Sequence, residues 1–114
     1  MADALDISQR EEGSFLIISL AGSLDGHTFV EFEKYMNDVV TKGAKRVVVE
    51  LSRLSYVASA GVGVLINAQQ QLNDRGGNMS LVQPSAVVNE VFEILGLEAL
   101  FAIHKDMESA LTEG

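Results

Sequence analysis

The sequence predicts an α/β domain, a mixed sheet of roughly four or five strands with about four helices packed on it. Three observations lead there. Short apolar runs rich in Val, Ile and Leu alternate with segments whose apolar residues recur every three or four positions. Gly and Pro punctuate the boundaries between them. Of the 114 residues, 47% are hydrophobic, enough for one core, so residues 1–114 are expected to form a single domain.

The elements follow in order. Leu5 and Ile7 alternate with Asp6 and Ser8, as in a half-buried strand. Glu12-Gly13 is expected to turn, and Phe15 to Leu20, a short apolar run, is the second arm of a hairpin. Gly22 to Gly26 reads as a loop. Thr28 and Glu31 have the spacing of a capping box, in which each side chain satisfies the other's free N–H. Phe29, Phe32, Met36, Val39 and Val40 then make one apolar helix face, and Gly43 suits its end. Arg46 to Leu51 is expected to be a central strand and Ser52 to Ser59 a loop. A second helix is expected over Gly61–Leu72, ended by Gly76-Gly77-Asn78, and a strand over Met79–Val82. Pro84-Ser85 opens a third helix, with Val87, Val88, Val91, Phe92 and Leu95 towards the core and Gly96 closing it. Leu100 to Ile103 is read as a strand, and Asp106 as the cap of a last helix through Leu111.

Composition narrows the function. No Cys is present, which excludes disulfides, thiolate catalysis and Cys-based zinc sites. The net charge of −8 argues against direct binding of nucleic acid, which needs a basic face, and against docking on anionic lipid. Lys42, Lys45, Arg46 and Arg53 gather four of the eight basic residues, whereas 85–114 holds six acids and one base. Both read as solvated faces. The polar, acidic N-terminus does not resemble a signal peptide, and no apolar run approaches the roughly 20 residues of a membrane span. A cytoplasmic location is expected.

The informative stretch runs from Leu51 to Leu65, where a buried strand leads to a loop ending in Ser59-Ala60-Gly61 and then an apolar helix. Ser59 therefore lies at or next to a helix N-cap, where N–H groups lack helical partners and the helix dipole favours negative charge. A phosphate is well tolerated there. Ala58, Ala60 and Gly61 are small and leave the hydroxyl open. By itself this pattern is more often a plain cap, worth about 1 kcal/mol, than a regulatory site.

Gly22-Ser23-Leu24-Asp25, the stretch VVVELSRLSYVASAGVGVL and the tail VVNEVFEILGLEALFAIHKDMESAL resemble, in this order, the STAS domain in its branch of anti-sigma factor antagonists. The resemblance covers nearly the whole chain. It implies a STAS-like fold and a binding switch: the unphosphorylated antagonist sequesters an anti-sigma factor that is also a serine kinase and so frees a sigma factor. The kinase phosphorylates the Ser that matches Ser59 and the complex is lost, until a PP2C-type phosphatase resets it. Asp25 matches an acid near that Ser. The partner-binding positions implied are Asp25, Ala58, Ala60, Gly61 and Val62. Three positions depart from the family's habit: Ala58 replaces an acid, Ala60 a small hydroxyl residue, and Glu50 an Asp. A STAS scaffold that binds a different partner without phosphorylation is the alternative.

Other chemistry is weaker. Gly61-Val62-Gly63 lacks the rest of a phosphate-binding loop and fits a helix packed close to a sheet. His27 and His104, the only histidines, have no second ligand at metal spacing. No carboxylate pairs with a nucleophile or base in the sequence, so a binding module is expected rather than an enzyme, with no cofactor or metal. The sequence sets no oligomeric state.

Overall fold

The computed structural model describes residues 4–113. Strands β1 (Leu5–Glu12) and β2 (Phe15–Leu24) form the antiparallel hairpin, turned at Gly13, whose φ of +61° lies in the left-handed region. Helices and strands then alternate: α1 (Phe29–Thr41), β3 (Arg46–Val57), α2 (Ser59–Asp74), β4 (Asn78–Val82), α3 (Ala86–Leu95), β5 (Ile103–His104) and α4 (Met107–Glu113). The five strands make one mixed sheet in the order β1-β2-β3-β4-β5, with β2 to β5 parallel.

Connections between parallel strands are right-handed almost without exception. The strands advance in one direction across the sheet, so α1, α2 and α3 all land on one face. The main core lies there, built from Ile18, Leu20, Phe32, Leu65, Leu72 and Phe92 among others. Each such side chain contributes about 1.5–3 kcal/mol on burial. Among the described residues the opposite face receives only α4, whose Ala110 closes over Ile17, Val48 and Val82. The radius of gyration is 12.8 Å, close to the value of about 13 Å for a compact chain of this size. Among the described residues, no helix is long and apolar enough to cross a membrane.

Four local expectations are corrected. Where a loop is expected over 52–59, β3 continues to Val57. Its register against β2 slips between Ser19 and Ala21 and again between Gly22 and Ser23, each time with an extra residue on β3. Leu51, Leu54 and Val57 are therefore buried three residues apart, and the two-residue alternation of a strand is lost. The partner β2 likewise extends to Leu24. Where a strand is expected over 100–103, the chain leaves a 3₁₀ turn (Leu97–Ala99) and buries Phe101, and the pairing with β4 is confined to Ile103 and His104. Gly96, left-handed at φ +69°, ends α3 and redirects the chain into that turn. Finally, Val88 and Phe92 carry the buried face of α3, while Val87 and Leu95 are exposed. The basic cluster stays at the surface: Lys42 pairs with Asp38 at 3.0 Å, and the Arg46 guanidinium lies 4.2 Å from the centre of the Phe15 ring.

Candidate functional site

Parallel pairing of β2 and β3 brings their carboxyl ends side by side, with Leu24 opposite Val57. One further bond joins the loops that leave them: the Ala58 N–H donates to the Leu24 carbonyl at 2.9 Å. Asp25 and Ser59 each lie one residue beyond that bonded pair. The register of two strands thus brings together the loops of the acid and the serine that the sequence singled out.

Gly61 seats α2 on the same spot. A Cβ there would stand 2.5 Å from Leu24 Cγ and 3.2 Å from the Leu24 carbonyl oxygen, so only a residue without a side chain fits. This is the reason for the first glycine of Gly61-Val62-Gly63, and it involves no nucleotide. Gly63 faces open space.

Ala58, extended at φ −98° and ψ 166°, is the N-cap of α2, and Ser59 is the first helical residue. Ala58 offers no side chain to the helix start, and its carbonyl accepts from the N–H groups of Gly61 (2.9 Å) and Val62 (3.1 Å). Ser59 and Ala60 are exposed, and the Ser59 hydroxyl has no hydrogen-bond partner among the described residues. No acid occupies the first turn of this 16-residue helix. The free N–H groups and the dipole therefore give a positive helix start whose serine is open to the outside.

Asp25 is committed locally. One carboxylate oxygen accepts the N–H groups of His27 (2.8 Å) and Thr28 (3.1 Å), and the other accepts the Ser23 hydroxyl (2.9 Å). The His27 N–H foremost, then the Ser23 hydroxyl, hold its carboxyl below the ordinary value of 3.8, so it is ionised at neutral pH. The capping box expected from Thr28 and Glu31 does not form. The Thr28 hydroxyl instead donates to the Ser23 carbonyl at 2.8 Å and accepts the Asp25 N–H at 2.9 Å. It turns back into the loop because Asp25 already holds the Thr28 N–H, an Asx-type turn that competes with the cap.

Of the remaining predicted positions, Ala58 is half-buried, whereas Gly61 and Val62 are buried and supply no outward side chain. They shape the surface from below. Two residues were missed by the sequence reading. Ser23, 6% exposed, orients the Asp25 carboxylate, and the exposed Tyr56 precedes the site on β3 opposite Ser23. The Ser-x-Asp spacing could have pointed to the first, since a hydroxyl two residues from a carboxylate closes such turns. No sequence signal marks Tyr56. His27 lies exposed in the β2–α1 loop and His104 on β5. Among the described residues no three His, Asp or Glu side chains are grouped to hold a metal.

Residues 6–110 match the family model of the STAS domain. The chain belongs to the STAS domain family. This STAS domain is 27% identical, over 110 residues, to an anti-sigma F factor antagonist of Paenibacillus polymyxa, covering 96% of this chain and 94% of that protein. It is 35% identical over 95 residues to BtrV of Bordetella bronchiseptica, provisionally assigned as an anti-sigma factor antagonist, covering 83% and 82%. Among solved structures it resembles the anti-sigma factor antagonist SpoIIAA of Bacillus in its unphosphorylated form, with a TM-score of 0.79 and 25% identity over 96% of this chain and 95% of that one.

Proposed function

We propose that this STAS domain is an anti-sigma factor antagonist, a binding regulator rather than an enzyme, and that phosphorylation of Ser59 switches its binding. The unphosphorylated form holds an anti-sigma factor that is also a serine kinase, and a PP2C-type phosphatase restores it. The observation that carries this reading is the exposed Ser59 hydroxyl, without a partner among the described residues, at a positive helix start tied to the Asp25 loop through Ala58 and Leu24. The proposed partner face takes in Asp25, Ala58 and Ala60, with the buried Gly61 and Val62 shaping it.

The energetics are of the right size. Phosphate adds about −1.5 to −2 charges at neutral pH. Inside a packed interface it loses water and gains repulsion from the ionised Asp25. Reversing occupancy from 99:1 to 1:99 needs about 5.5 kcal/mol, and one buried charge without a partner costs about 3–5 kcal/mol. A single phosphate therefore supplies most of the switch.

The test is incubation with the cognate anti-sigma kinase, ATP and magnesium, followed by mass spectrometry. Phosphate is expected on Ser59 and absent from Ser59→Ala. In titrations Ser59→Asp binds the kinase far more weakly than wild type, and equal affinities would contradict the switch. A second reading is favoured by Ala58 and Ala60, which stand where the resemblance leads one to expect an acid and a hydroxyl. In that reading the domain binds its partner without phosphorylation. A tight complex together with an unmodified Ser59 in cells would establish it.

A further inference from the structure

Exposed apolar side chains scattered singly need no explanation, but a contiguous group marks an interface. Six large hydrophobic side chains are exposed among the described residues, and four of them cluster between positions 87 and 100: Val87 (52%), Ile94 (77%), Leu95 (48%) and Leu100 (53%). Val87, Ile94 and Leu95 are spaced seven and eight residues apart, so they share one flank of α3 with the half-buried Val91. The opposite flank, Asn89 and Glu93, lines a cavity with Ile103 and His104 at the β5 edge. The apolar flank therefore looks the other way, towards α2. Leu100 is held beside α2 by the Gln69 side chain, which donates to the Leu100 carbonyl at 3.2 Å. On the flank of α2 that carries Gln69, the half-buried Ile66 and the exposed Asn73 are uncharged.

We propose that this stripe is a second docking surface, independent of Ser59 and its phosphate, for a partner helix with an apolar face flanked by Lys or Arg. Its length suits that occupant: the ten residues of α3 rise about 15 Å, which accommodates anchors spaced i, i+4 and i+7 on a helix laid alongside. Charge selects the sign. The exposed Glu90 borders the stripe on α3, and the chain as a whole carries −8. A second copy of this chain would set acid against acid, whereas a base-flanked helix meets complementary charge.

The test titrates the full chain, at 0.15 M salt, with a synthetic helix of Leu and Lys having one apolar face, and with its Leu and Glu counterpart. The Lys peptide is expected to bind at least tenfold more tightly than the Glu peptide. Ile94→Asp and the charge-neutral Leu100→Gln, both at exposed positions, weaken the Lys peptide at least tenfold and threefold, whereas Ser59→Asp leaves it within twofold. Ile94→Asp makes the chain more acidic, so unchanged or tighter binding by that variant shows attraction to net charge alone and overturns the proposal. Sedimentation in which wild type dimerises and Ile94→Asp is monomeric assigns the stripe to a second copy and overturns it too.

Discussion

Two serines stand at the starts of two helices, and they are used in opposite ways. Ser85 is the N-cap of α3: its hydroxyl accepts the Val88 N–H at 3.4 Å and donates to the Leu54 carbonyl at 2.7 Å, tying the helix to β3. Ser59 sits one residue further into its helix, where the cap position belongs to Ala58, and its hydroxyl has no partner among the described residues. A hydroxyl occupied on both sides holds structure and is closed to a modifying enzyme. A spare hydroxyl at a helix start contributes little to folding and is available for chemistry. The difference teaches that a serine at a helix start is read by its offset from the cap.

Substitutions can break this contrast, and they fall in order of size. Gly61→Ala forces a Cβ against the fully buried Leu24, and is expected to destabilise by about 2 kcal/mol after the gain in helix propensity. Urea denaturation measures it. Ser85→Ala removes the cap and leaves the Leu54 carbonyl short of a donor, for a loss of about 1.5 kcal/mol by the same method. Ala58→Asp supplies the missing cap on a backbone already extended, so stability rises by about 1 kcal/mol. No change with Ala58→Asp would show that the start of α2 is satisfied some other way. Ser59→Ala is expected to shift stability by about 0.5 kcal/mol or less and, on the proposed switch, to remove the phosphate acceptor. A loss as large as that of Ser85→Ala would end the contrast. Last comes the Asp25 loop. Its carboxyl is held below 3.8 in the fold, so the ionised form stabilises the native state at neutral pH. That contribution is lost as pH falls through the lowered folded value. The stability gap between wild type and Asp25→Asn is therefore expected at pH 7 and narrows below pH 3.8.

Much of this was legible in the sequence where periodicity and punctuation agree. Ser85 and Gly96 bracket α3 as expected, Asp106 caps α4 by accepting the Ser109 N–H at 2.8 Å, and Gly43, at φ +95°, follows the end of α1. The failures have physical causes. The end of β3 was hidden because two extra residues break its alternation, so that Ser52, Arg53, Ser55 and Tyr56 read as loop. The apolar arc of α3 is wider than the core beneath it, and Val87 and Leu95 spill onto the surface. At the site, Ser59 was legible as a helix-start residue and Asp25 as its neighbour only through the resemblance. The meeting of their loops depends on strand register, which no local pattern encodes. The burial of Gly61 and Val62 follows from the seating of α2 on Leu24, also a tertiary fact.

The strand order has a further consequence. In open α/β sheets, small-molecule ligands settle in the crevice that opens at the carboxyl edge where the order of strands reverses. Here β2 to β5 advance across the sheet without a reversal, so this edge has no such topological switch point. Whatever is recognised beside Asp25 and Ser59 is met on an outer surface, an arrangement better suited to another protein than to a metabolite.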